Sequence, residues 1–259
     1  MAQIRAFKGI RPLRNKVHLV ATRPYYSYKK NVLKAKLEDN PFTFLHIINP
    51  EFGAQFKTRP NSTERFLQVK QRFNEFLDAG ILTTDQQAQL YIYRQTREGL
   101  EVSGFFAGVS VDDYLDGAIK IHEQTLTARE DVFTDYLHTV GFNAEPVLLT
   151  YEGQEPIQKL LDTYLDTRPE YEFTTTDRIT HEVWLLSPSD SQLICEAFQK
   201  VPALYIADGH HRSASSARYT QQLREKGTAY PTAADYFLGY LVDEREVQIA
   251  AFHRLLKST

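Results

Sequence analysis

The chain has 259 residues, 42% of them hydrophobic, enough to bury a substantial core as one large domain or two smaller ones. Its 30 basic and 33 acidic residues give a formal charge of −3 and are spread through the sequence, so there is no basic stripe of the kind that binding a nucleic-acid backbone requires. Cys195 is the only cysteine, which excludes an internal disulfide, a zinc site built from several thiolates and a two-cysteine redox pair. The start, Met1 to Phe7, lacks the apolar run of a signal peptide, and no later segment approaches the ~18 uninterrupted apolar residues of a membrane span. The expectation is a cytoplasmic protein with no membrane and no nucleic-acid partner.

Ile4 to Phe7 reads as a short strand, followed by the turns Arg11-Pro12 and Arg23-Pro24, and Phe42 to Ile48 reads as a buried strand. From Ser62 to Ala79 apolar residues recur at helical spacing, with Ser62 or Thr63 placed to cap the start and Gly80 to end it. Leu90 to Thr96 and Leu100 to Val111 flank Arg97-Glu98-Gly99 and predict a β-hairpin. Tyr91, Tyr93, Arg94 and Gln95 on its first arm are weighed as cleft-lining residues against the simpler reading of core and cross-strand pairs.

After Asp112-Asp113 a second set of elements begins, so the chain is divided into an N-terminal α/β lobe, 1–111, and a second lobe, 112–259. Ile119 to Ile121 reads as a strand that runs into His122-Glu123-Gln124-Thr125 and then a helix. Glu145 to Tyr151 reads as a strand, Gln154 to Tyr164 as a helix, Thr180 to Leu186 as a strand and Asp190 to Gln199 as a helix. Cys195, Trp184 and Tyr205 are expected in the core. Near the C-terminus, Tyr236 to Val242 and Gln248 to Leu255 read as paired strands.

The most informative stretch is Tyr205-Ile206-Ala207-Asp208-Gly209-His210-His211-Arg212, an apolar strand that meets a glycine turn and then a helix expected from Ser213 to about Lys226. A helix start leaves backbone N–H groups unpaired and carries partial positive charge, so it suits a phosphate. Gly209 permits close approach, His210 and His211 are donors, Arg212 neutralises charge, and Ser213 bonds a phosphate oxygen or caps the helix. Asp208 orients a histidine or holds magnesium through water. The plainer alternative is that Asp208 and Ser213 only cap a helix whose histidines are solvated. Glu123 is the candidate base, with His122 to orient it, against the alternative of a solvated carboxylate or a partner for Arg129. Thr125 is a substrate-binding candidate or simply a helix cap. His181-Glu182 lacks a third ligand at metal-binding spacing, so no metal site is expected there.

The stretches Phe44 to Glu51, Tyr91 to Thr96, Ser110 to Tyr114, Ile119 to Glu123 and Ala207 to Arg212 together resemble the bacterial domain-of-unknown-function 1015 family over nearly the whole chain. Familiar members continue past Phe252-His253-Arg254, so the chain resembles a short or truncated member. Where they carry Pro-Pro-Tyr-Asp, this chain has Arg23-Pro24-Tyr25-Tyr26. The order His-Glu-x-Thr, helix, Pro-Val-Leu strand, Asp-Gly-His-His-Arg also resembles the ParB/sulfiredoxin superfamily, nearest in motif to the free serine kinases. That resemblance, which covers about Ala118 to Tyr219, implies a ParB/sulfiredoxin-like mixed-sheet core in the second lobe of the expected two-lobed α+β fold. It also implies Glu123 as the base acting on a substrate hydroxyl, and Asp208 to Ser213 as the holder of nucleotide phosphate. His210 stands where sulfiredoxins have their reactive cysteine.

The function implied is a nucleotide-dependent phosphotransferase acting on a small hydroxylated metabolite such as serine. Its cofactors would be ATP or ADP, with CTP as the alternative, and Mg2+; a homo-oligomer is left open. The rival readings are a non-catalytic sensor of a nucleotide or phosphorylated metabolite, and a nucleotide hydrolase.

Overall fold

Aromatic and β-branched residues on either side of Arg97-Glu98-Gly99 build a long hairpin from Tyr91–Arg97 and Leu100–Ser110. Its two-residue turn has Glu98 at φ 52° and Gly99 at φ 83°, the double positive φ whose twist matches the flanking strands. This hairpin lies within a mixed sheet of nine strands in a computed structural model that describes residues 2–227 and 229–248.

In chain order the described strands are β1 Ile4–Arg5, β2 Ile10–Pro12, β3 Leu82–Thr84, β4 Tyr91–Arg97, β5 Leu100–Ser110, β6 Ile119–Lys120, β7 Val147–Tyr151, β8 Tyr171–Thr174, β9 Thr180–Leu185, β10 Leu204–Asp208 and β11 Tyr236–Asp243. The sheet runs β6-β10-β7-β11-β5-β4-β9-β8, and β1 pairs with the end of β5 that β4 leaves open. β2 and β3 form a separate two-stranded sheet. β10 is parallel to β6 and β11 parallel to β7, while the other neighbours are antiparallel. The protein is therefore α+β. The boundary expected at residue 112 falls inside the short helix Val111–Leu115 that follows β5, and strands from both sides of it share this one sheet.

The described helices are α1 Val17–Val20, α2 Lys30–Asp39, α3 Leu45–Ile48, α4 Thr63–Asp78, α5 Val111–Leu115, α6 Thr127–Val140, α7 Glu155–Leu165, α8 Pro188–Phe198 and α9 His210–Glu225. Ile157 and Leu161 of α7 and Ile194 and Phe198 of α8 join Ile92, Phe105, Leu149 and Leu241 of the sheet in the main core. Burying such side chains contributes about 1.5–3 kcal/mol each. A second cluster gathers Phe66, Val69, Phe73 and Phe76 of α4 with Val20, Ile47 and Val140. α4 starts where Ser62 Oγ accepts the N–H of Arg65 at 3.3 Å, and Gly80 follows it at φ 61°, as the sequence predicts.

Several expectations need correction. Phe42 to Ile48 is not a strand: Asn40 Oδ1 accepts the N–H of Phe42 and Thr43 Oγ1 that of Leu45, which turns the chain into the one-turn helix α3. Leu45 and Ile47 are buried in it, so an alternating burial pattern arises without a strand. Tyr205 is not core but 48% exposed, because outward positions on β10 near the sheet edge have no covering layer. Trp184 is buried as expected, and its indole N–H donates to the Thr167 carbonyl at 3.0 Å. Cys195 is half-buried and packed against the main core, where burial pushes its thiol up. β8, which has no distinct pattern of its own, completes one edge. The strand expected to end at Leu255 lies outside the described residues.

No described helix is long and apolar enough to cross a membrane.

Candidate functional site

Parallel pairing of β6 with β10, Ile119 opposite Leu204 and Lys120 opposite Tyr205, sends both strands out at the same end of the sheet. The segment Ile121 to Gln124 is therefore set beside the turn that follows β10. β7 runs antiparallel to β10, with Leu148 opposite Asp208, so Glu145 and Pro146 arrive at that end too. Three connections separated by long stretches of chain meet there, outside the carboxyl ends of two parallel strands, where open α/β sheets commonly place ligands.

The register of β10 slips between Ile206 and Asp208, and the chain turns at Gly209 with φ 104° and ψ 26°. A Cβ there would stand 3.1–3.2 Å from the Arg212 guanidinium, so both backbone and space call for glycine. α9 begins at His210, three residues earlier than the sequence predicts, and no side chain caps it. Arg212 and Ser213 already direct their N–H groups to the Gly209 carbonyl, at 2.9 and 3.1 Å.

His210 is buried, with its side chain 5% exposed, and its Nδ1 lies 3.7 Å from Oε2 of Glu123, whose side chain is 67% exposed. The backbone N–H of His122 donates to Nε2 of His210 at 3.4 Å, and the His122 ring meets the His210 ring edge-on with centroids 4.4 Å apart. An imidazole that accepts at Nε2 carries its proton on Nδ1, so His210 directs a donor toward the Glu123 carboxylate. Burial, then the neighbouring His122, hold the His210 pKa below the ordinary histidine value, while Glu123 pulls it back up. These surroundings favour the neutral form of the ring.

Arg212 turns away from His210. Its guanidinium donates to Asp208 Oδ2 at 2.5 Å and to the Pro146 carbonyl, with Glu145 Oε2 at 3.9 Å. Asp208 is 73% exposed, so this pair alone contributes only about 0–1 kcal/mol. The larger effect is positional, since Arg212 ties the start of α9 to the residue before β7. Ser213 is fully buried and its hydroxyl donates to the His210 carbonyl at 3.0 Å, so that hydroxyl is spent inside α9. His211 is half-buried with Nδ1 enclosed and without a partner. Thr125 donates to Glu130 and does not cap α6, whose N-cap is Leu126. The structure thus brings Glu123, His122 and His210 together, sets Asp208 and Arg212 against each other beside them, and turns Ser213 inward.

Tyr91 and Tyr93 line a cavity on a different part of the sheet, whereas Arg94 lies on the opposite side and makes a fork-like pair with Glu182 at 2.6 and 2.8 Å. Pro146 opens the Pro-Val-Leu strand of the motif order, but nothing in the sequence marks it or Glu145 as a site residue. Only the antiparallel register of β7 on β10 reveals them as the anchor of Arg212. Among the described residues no group of three or more His, Cys, Asp or Glu side chains is arranged to hold a metal ion. Magnesium bound with nucleotide needs only one or two carboxylates besides the phosphates, and the exposed Asp208 meets that smaller demand.

No curated protein and no solved structure matches the chain. A family match covers residues 4–259, and it takes in both the connections that meet at the end of β10 and the strands that bring them there. The chain belongs to the family described as protein of unknown function (DUF1015).

Proposed function

We propose that the chain is a nucleotide-dependent phosphotransferase acting on a small hydroxylated metabolite, with serine the first acceptor to try, and that its reacting groups meet at the start of α9. The observation that carries this reading is the exposed Glu123 carboxylate 3.7 Å from the buried Nδ1 of His210. An acceptor hydroxyl needs a carboxylate to take its proton, and the phosphate needs fixed donors around it. Glu123 takes the proton as the hydroxyl oxygen bonds to the terminal phosphorus. The bond from that phosphorus to the bridging oxygen breaks, and the nucleotide leaves one phosphate shorter. His210 holds Glu123 in place and donates from Nδ1, and His122 fixes that tautomer through its backbone. The uncapped start of α9 offers partial positive charge to the phosphates. Asp208 is the residue that would hold magnesium, which supplies charge neutralisation to the phosphate oxygens when bound. The ParB/sulfiredoxin resemblance of the two motifs supports the same assignment.

The test is calorimetric titration with ATP, ADP and CTP in the presence of magnesium, followed by phosphate transfer over a panel of amino acids and sugars. Glu123→Gln is expected to keep nucleotide affinity and lose about two or more powers of ten in turnover. Unchanged turnover would remove Glu123 from the role of base.

The pairing of Arg212 with Asp208 and the Pro146 carbonyl favours a second reading, a sensor. A phosphate that captures Arg212 would release the residue before β7 and so change a surface that a partner protein reads. Binding without turnover on any acceptor supports the sensor, and phosphate release with no acceptor supports a hydrolase.

A further inference from the structure

A cavity of about 960 Å³ lies on the face of the sheet toward which Tyr91, Tyr93 and Phe106 point, opposite Ile92 and Phe105, which join the main core. Its size suits a small organic molecule. None of Glu123, His122, His210 or Arg212 lines it, whereas Pro146, whose carbonyl accepts from Arg212, does, so the cavity adjoins the site at the start of α9 without containing its reacting groups.

Its floor is a row of near-parallel rings from four adjacent strands. Phe173 and His181 have centroids 5.0 Å apart at 21°, His181 and Tyr93 6.0 Å apart at 11°, and Tyr93 and Phe106 5.0 Å apart at 21°. The polar edges of the row are already used. Gln95 donates to the Tyr93 hydroxyl at 2.6 Å, and that hydroxyl meets Nδ1 of His181 at 2.7 Å. Thr175 Oγ1 donates to the Ile179 carbonyl at 3.0 Å and meets Nε2 of His181 at 3.3 Å. One proton order satisfies them all: Tyr93 donates to Nδ1, and Nε2 donates to Thr175. The Tyr91 hydroxyl likewise receives Gly9 N–H and donates to Asp85, both at 2.7 Å. The floor therefore holds rigid rings and asks for no polar partner, which selects a planar apolar body.

The rim has the opposite character. Arg5, Lys8, Arg11 and Arg23 line the cavity, and no aspartate or glutamate does. Arg11 is bonded to Asp85 at 2.8 Å and Arg23 faces Asp177 at 3.5 Å. Arg5 instead lies over the Tyr236 ring at 5.3 Å, and among the described residues neither Arg5 nor Lys8 has a carboxylate partner. Two exposed cations beside a ring-lined hollow select a negative group at the mouth.

We infer that this cavity binds a planar aromatic anion, its rings against Tyr93, Phe106 and Phe173 and its charged group between Arg5 and Lys8. The inference stands independently of the phosphotransferase reading.

The experiment uses the full chain with two fluorescent probes of matched ring system, anilinonaphthalene sulfonate and the uncharged N-phenylnaphthylamine. The expected result is saturable binding of the sulfonate at one site per chain. Arg5→Ala with Lys8→Ala is expected to weaken the sulfonate about fivefold or more while leaving the neutral probe unchanged. Phe173→Ala is expected to weaken both probes about tenfold, with circular dichroism and melting midpoint confirming a folded variant. No saturable binding by either probe, or equal affinity of the sulfonate for wild type and both variants, overturns the proposal. Displacement of the sulfonate by magnesium ATP overturns the separateness of the site, and its absence supports it.

Discussion

Nε2 of His210 receives the backbone N–H of His122 at 3.4 Å, and this contact leaves Nδ1 to carry the proton that faces Glu123. Because the backbone of one motif reads the ring of the other, the state of His210 depends on the parallel pairing of β6 with β10.

His210 is predicted to titrate below the ordinary value of 6.5. NMR of the imidazole against pH measures this directly, and the neighbours set the sign of each variant. Glu123→Gln removes the group that raises the pKa and shifts it further down; His122→Ala removes one that lowers it and shifts it up. The same depression couples to folding. The unfolded chain binds a proton near pH 6.5 that the folded chain refuses, so stability present above that pH is lost as pH falls through the folded pKa. His210→Asn is expected to flatten this loss in denaturation curves measured between pH 7 and 5.

Arg212→Ala is predicted to weaken nucleotide binding about tenfold or more, from loss of a charge-assisted contact. Arg212→Lys is expected to recover little of it, because an ammonium cannot bridge Asp208 and the Pro146 carbonyl as the guanidinium does. Calorimetry on the three proteins checks both statements. Equal affinity in wild type and Arg212→Ala would place the phosphates elsewhere.

Gly209→Ala is predicted to destabilise the fold by about 1–2 kcal/mol, the cost of a left-handed backbone for a residue with Cβ. The new methyl group also crowds the Arg212 guanidinium, so affinity for nucleotide should fall together with the urea midpoint.

Gly104→Ala is predicted to be worse, at about 2–3 kcal/mol. A Cβ there runs into the Leu241 carbonyl of the neighbouring strand, and two backbones must separate in the middle of the sheet. Gly99→Ala is the control, since its turn has open space and only its φ of 83° opposes the change, with an expected cost of about 1 kcal/mol. Urea midpoints for the two variants order them.

Elements whose information is local were readable from the chain. Ser62 and Gly80 bracket α4, and Glu98-Gly99 fixes the hairpin. The glycine turn before α9 was readable for the same reason, because a left-handed residue between a strand and a helix has few other uses. Phe42 to Ile48 misled because side chains of Asn40 and Thr43 take over the backbone N–H groups that would have paired in a strand. At the site, the proximity of Glu123 to His210 depends on strand order, and the capture of Arg212 by the Pro146 carbonyl depends on register. Neither leaves a periodic trace in sequence. The cavity was hidden for a further reason: Tyr93, Phe106 and Phe173 alternate along their strands as ordinary core residues do, and only the packing leaves a hollow above them.

β11 lies between β5 and β7, bonded to β5 from Tyr236 to Val242 and to β7 from Gly239 to Asp243. Nearly the last described segment thus occupies the middle of the sheet. A chain emerging from the ribosome must hold two bare strand edges apart until residue 243 has been made, and a copy interrupted before Tyr236 keeps both as templates for pairing with another molecule. Synthesis order and spatial order are opposed here, which makes a long-range, late-closing fold with a correspondingly slow final step.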